Sequence, residues 1–167
     1  MRNVGWAALA LGLGILPCCA TRSAQPIGPR PYEVCLPLSG GGMLQLADYR
    51  GKVLVVDFFT TWSRPSMVAV PVWSSLAQKY GPRGLAVVGV AMDEIGDDVV
   101  RPYAAGMGLS YPVLLADEAV REGRSAFGPI EAIPMTLIFD RLGRLTRILV
   151  GLVPAAEMEG AVLELLD

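Results

Sequence analysis

Val53-Leu54-Val55-Val56-Asp57-Phe58-Phe59-Thr60-Thr61-Trp62-Ser63-Arg64-Pro65-Ser66 is the stretch on which the reading of this chain turns. It begins as a near-continuous apolar run rich in Val and Phe, the pattern of a strand buried on both faces. One acid, Asp57, sits inside that run. A buried carboxylate is expensive to ionise, so a neutral or water-linked side chain is expected there. After Trp62 a helical pattern opens and runs over 63–80. Ser63 is a favoured N-cap, Pro65 suits the first turn, and Gly81-Pro82 closes the helix.

Working outward, a short strand is expected at Cys35–Leu38, a turn at Ser39-Gly40-Gly41-Gly42 and a second strand at Met43–Leu46. Asp48-Tyr49-Arg50-Gly51-Lys52 reads as the next turn. Leu85–Ala91 is another buried run, and helices at Asp97–Ala105 and Glu118–Phe127 surround a short strand at Tyr111–Leu115. Met135–Phe139 and Leu145–Val150 flank Asp140-Arg141-Leu142-Gly143, a hairpin signal. Ala155–Leu166 is a final amphipathic helix. The order β-β-β-α-β-α-β-α-β-β-α mixes parallel crossovers with a terminal hairpin, so the expected class is α/β, a three-layer sandwich.

Bulk properties narrow the function classes. The 167 residues suit one domain plus an export segment, and 53% hydrophobic residues with 18% charged can fill a core. The net charge of -2, with no basic stripe, gives no case for nucleic acid. Histidine is absent, which removes Ser-His-Asp hydrolysis, His-based proton transfer and most zinc sites. Asp93-Glu94 with Asp97-Asp98 reads as helix caps and dipole partners before a cation site. No metal or cofactor is expected.

The first 20 residues read as an export signal: Arg2 is the positive end, and Val4–Leu16 is an apolar run of 13 residues. A membrane span needs about 20. Cleavage after Ala20 or Ala24 would release the protein. Alternatively Leu16-Pro17-Cys18-Cys19 resembles a lipoprotein box, with Cys19 (or Cys18) carrying a lipid as the one membrane contact. A buried N-terminal helix is the plainer alternative. Residues 21–34, with Pro26, Pro29 and Pro31, read as an extended linker, and 35–167 as the domain. Processing would leave Cys35 as the lone thiol. Its Val34-Cys35-Leu36 context predicts a buried, inert side chain; monothiol chemistry would require exposure instead.

The quoted stretch resembles the active-site segment of the thioredoxin-like proteins, in which a buried strand with an acid leads to Trp and then Cys-X-Pro-Cys at a helix start. Asp57 falls at the position of the buried acid, Trp62 precedes the first thiol position, and Pro65 and Pro71 match the family prolines. Leu46-Ala47-Asp48-Tyr49-Arg50-Gly51-Lys52 is similar to the preface of the TlpA/ResA branch. Ile133-Pro134-Met135-Thr136 resembles its cis-proline loop, and Phe139–Arg144 its hairpin. The resemblance spans about residues 33–166. It implies a thioredoxin-like three-layer α/β/α sandwich with a mixed central sheet and an N-terminal β extension.

The departure lies at the thiols: both positions, Ser63 and Ser66, are serine. A thiol at a helix N-terminus is tuned from a pKa of about 8.5 to between about 3.5 and 7.5. A serine hydroxyl starts near the ~15.7 of water. A fall of about five units, the largest for tuned thiols, leaves it protonated at neutral pH. No catalytic residue is therefore expected, and Asp57 loses the thiol it serves in relatives. The resemblance implies instead a redox-inactive, envelope-exported module that binds a polypeptide or protein partner. Trp62, Arg64, Pro65, Ile133 and Pro134 would form its face, with the backbone beside Pro134 aligning an extended segment, unless Trp62 is a surface aromatic that packs the loop.

Overall fold

The computed structural model of the chain describes residues 28–167. The expected export segment at 1–20, with Cys18 and Cys19, lies outside them.

β3 (Val53–Phe59) and β4 (Leu85–Ala91) are buried at every position, which only central strands of a covered sheet can be. They pair in parallel, with Asp57 opposite Gly89. β5 (Val113–Leu115) extends the sheet beyond β4, and β6 (Met135–Phe139) runs antiparallel to β3 with Thr136 opposite Asp57. β7 (Leu145–Val150) completes the order β5-β4-β3-β6-β7. β1 (Cys35–Pro37) and β2 (Met43–Gln45) form a separate hairpin. That hairpin reaches the sheet's edge through a Leu38–Leu114 bridge and a hydrogen bond from Ser39 N–H to the Val113 carbonyl. β7, with Ile148 and Val150 exposed, is the other edge.

Side-chain alternation divides the core in two. Val53, Val55 and Phe59 meet α1 (Arg64–Tyr80), α2 (Asp97–Gly106) and α4 (Ala155–Leu166) on one face. Leu54, Val56 and Phe58 meet α3 (Glu118–Arg121) and the N-terminal segment on the other. Ala69, Val70, Trp73, Leu76 and Tyr80 form the buried stripe of α1, at the spacing of a helix packed on a sheet. Phe58 and Phe127 meet edge to face at 5.1 Å. Fully burying side chains of this size contributes about 1.5–3 kcal/mol each.

Four expectations are corrected. Cys35 is exposed, not buried: the hairpin covers one face only, Leu36 points inward at 1% exposure, and alternation turns Cys35 out. The helix expected over Glu118–Phe127 stops at Arg121, because Gly123 takes a left-handed φ of 70° just past the last turn. The second strand ends at Gln45, and Leu46–Tyr49 forms a 3-10 turn that drives Leu46 fully into the core. Residues 28–34 pack on the domain. Arg30 N–H bonds the Ala126 carbonyl at 2.7 Å, Pro31 is buried within a 3-10 turn, and Arg50 lies 4.9 Å over the Tyr32 ring.

Candidate functional site

Three connections converge at the C-terminal end of β3. The chain leaves β3 through Thr60-Thr61-Trp62 and enters α1 with Ser63 as N-cap, its Oγ accepting from Ser66 N–H at 3.4 Å. β4 ends beside it, and Asp93, 6% exposed, reaches back to the loop. Its carboxylate accepts from Thr61 N–H at 3.1 and 3.2 Å and from the Thr61 hydroxyl at 2.6 Å. The third connection is Ile133–Pro134, joined by a cis peptide bond. Extending the β3–β6 register by two residues brings Ile133 level with Thr60. The C-terminal ends of parallel strands are where open α/β sheets present their sites.

The sequence-predicted residues divide by exposure. Trp62 is 74% exposed, and Arg64 and Pro65 are exposed beside it. Trp62 therefore does not pack the loop. Ile133 is half-buried, and among the described residues neither its N–H nor its carbonyl has a backbone partner. Ser63 and Ser66 are both buried, and the Ser66 hydroxyl has no partner. Further exposed apolar side chains flank the site: Met67 and Val68 on the first turns of α1, Ile95 two residues beyond the Asp93 clamp, and Leu152. Val68, Val72, Leu152 and Val153 line a shallow depression of about 340 Å³. A cleft of about 610 Å³, lined by Arg30, Tyr32, Arg50 and Leu145 among others, lies by the β6–β7 turn at the opposite end of the sheet. Cys35 is not brought to the site; its hairpin lies beyond β5.

Beneath the surface Asp57 is completely buried. Burial is the chief cause that raises its carboxyl to about 7. The Thr136 hydroxyl, donating to Oδ1 at 2.8 Å, pulls the other way. The Trp73 indole N–H, which closes no hydrogen bond, favours the charged form more weakly. Oδ2 has no partner. Asp57 can thus hold or release a proton near neutrality, but among the described residues no base bonds the Ser63 hydroxyl, which is occupied in capping. The exposed groups offer apolar contact and free backbone hydrogen bonds.

The sequence reads Asp93 as a helix cap or dipole partner; its carboxylate instead clamps Thr61. Its position directly after a buried strand was the available signal, since that is where α/β sites gather. Trp73, half a helix from Ser63, carried no signal at all.

Comparison with known proteins gives a consistent picture. The family model described as AhpC/TSA family matches residues 27–148. Over 120 residues the chain is 26% identical to the thiol-disulfide oxidoreductase ResA of Bacillus thuringiensis, covering 72% of this chain and 67% of that protein. It is 29% identical over 134 residues to the thioredoxin-like protein YneN of Bacillus subtilis, covering 79% and 76% respectively. A thiol:disulfide interchange protein of the thioredoxin family from Chlorobium tepidum superposes with a TM-score of 0.74 at 27% identity, covering 86% of this chain and 99% of that one.

Proposed function

The chain belongs to the AhpC/TSA family, in its thioredoxin-like, ResA-type branch, and from that premise we propose that it is a redox-inactive module of the cell envelope that binds a polypeptide or protein partner. The observation that carries the reading is the pairing of a 74% exposed Trp62 with an Ile133 backbone left without partners among the described residues, around a helix start whose two family thiol positions are serine. An alcohol oxygen forms no disulfide and carries no electrons, so what remains is contact. An extended segment would hydrogen-bond along Ile133 and rest its side chains on Trp62, Pro65 and the apolar Met67, Val68 and Leu152. The 13-residue apolar run at 4–16 supports export, with simple cleavage or lipid attachment at Cys19 as its two outcomes.

Insulin reduction tests the redox half of this reading. The unaltered protein should be inert, while the Ser63→Cys, Ser66→Cys double variant gains dithiol activity. Turnover by the unaltered protein at its Trp62 face sinks the proposal. Binding of a reduced, unfolded polypeptide tests the other half: Trp62→Ala combined with Ile133→Asp should weaken it at least tenfold, the loss of one hot-spot aromatic being worth roughly 2 kcal/mol.

The exposure of Cys35 favours one second reading, an oxidoreductase or antioxidant acting through this thiol alone. Peroxide consumption that Cys35→Ser abolishes would establish it in place of the first.

A further inference from the structure

Four polar atoms that the site does not use are enclosed on the α1–α2 face of the sheet: Asp57 Oδ2, Trp73 Nε1 and the hydroxyl oxygens of Tyr103 and Tyr111. They are four of the seven enclosed side-chain polar atoms without a partner among the described residues, and they come from β3, α1, α2 and the loop that precedes β5. Buried polar groups in folded proteins are nearly always hydrogen-bonded, so such a concentration needs a common partner.

The packing gathers the side chains that carry these atoms on one face of the sheet. Gly89 lies opposite Asp57 in the β3–β4 register, and the space of its missing side chain is taken by two rings. A Cβ there would stand 3.0 Å from Phe59 and 3.0 Å from Tyr111. Phe59 in turn stacks on Tyr103 at 5.8 Å. Tyr111, Phe59 and Tyr103 thus form a continuous wall beside the Asp57 carboxyl, and Trp73, fully buried, closes it from α1. Electrostatics agrees with this proximity. After burial, the Asp57 charge is the next influence holding both tyrosine hydroxyls above their ordinary range, and Tyr103 adds to the effect on Tyr111.

We propose that Asp57, Trp73, Tyr103 and Tyr111 form an internal water-binding site, in which one or two water molecules bridge the carboxyl, the indole N–H and the two hydroxyls. The donor and acceptor count fits. An internal water makes about three hydrogen bonds, and the indole donates, the carboxylate oxygen accepts, and each phenol does either. The site does not rest on partner binding, and it differs from a direct tyrosine–carboxylate contact in leaving the indole N–H beside a slowly exchanging water.

Rotating-frame NMR on the unaltered, nitrogen-labelled protein tests this directly. The Trp73 indole N–H should show a cross-relaxation peak to water with the sign of a long-lived contact, opposite to that of chemical exchange. Tyr103→Phe and Tyr111→Phe should each lower the folding equilibrium constant roughly fivefold, the effect of losing one bridging hydrogen bond. Absence of the water peak at Trp73 overturns the proposal. So does an unchanged or raised folding constant in both variants, because deleting a hydroxyl that has no partner is neutral or stabilising.

Discussion

Thr136 donates its hydroxyl proton to Asp57 Oδ1 at 2.8 Å across the β3–β6 pair, both side chains being almost wholly buried. This bond anchors one oxygen of an acid whose carboxyl is lifted to about 7, chiefly by burial. The consequence for pH has a definite sign. Below about pH 4 the acid is protonated in both folded and unfolded chains. Between about 4 and 7 the unfolded chain has released the proton and the folded one retains it, so stability falls as pH rises and levels off above 7. The span is on the order of 4 kcal/mol at most. Urea midpoints of the unaltered protein and Asp57→Asn should diverge from pH 5 to pH 8, with the variant the more stable at the upper end. Parallel curves would show that Asp57 ionises normally.

Asp93→Ala should cost about 2–3 kcal/mol, since the carboxylate accepts three hydrogen bonds from Thr61 in a nearly closed setting. Thr61→Val, which keeps the backbone bonds, should cost about 1 kcal/mol. Amide hydrogen exchange at Thr61 should accelerate strongly in the first variant and little in the second. Unchanged exchange in Asp93→Ala would mean that the loop is held by something else.

Ser63→Ala and Ser66→Ala should behave differently despite their equivalence in the family motif. The first removes a helix cap and should cost about 1 kcal/mol. The second removes an enclosed hydroxyl that has no partner, and should be neutral or stabilising. Thermal unfolding of both variants separates the two roles.

Gly89→Ala should destabilise by about 1–3 kcal/mol, because the new methyl meets two packed rings at 3.0 Å. Near-ultraviolet circular dichroism should change with it, as Phe59 and Tyr111 are displaced. An unaltered spectrum with full stability would contradict the packing described.

Much of this architecture was legible in the sequence, and the exceptions have physical causes. The bounds of β3, β4, β6, β7 and α4 could be read directly, because long apolar runs with clear turn signals admit few alternatives. Cys35 was misplaced because a three-residue strand carries too little pattern to reveal which face is covered. The helix expected up to Phe127 contains a stop at Gly123, and Phe127 is buried from an irregular segment. Of the candidate site, the helix start and Ile133–Pro134 were readable as local motifs. The Asp93 clamp joins residues 32 apart in sequence. The wall around Asp57 draws on three elements and the loop before β5, and only the tertiary fold assembles it.

The two borders of the main sheet are unequal. Beyond β5 the N-terminal hairpin occupies the last strand's backbone through Leu38 and Ser39, while on the outer side of β7 no strand pairs among the described residues. Lateral growth by strand addition therefore has a single direction open to it. Two molecules that joined along β7 would each present the same margin of the main sheet to the other, so the association would be a symmetric couple.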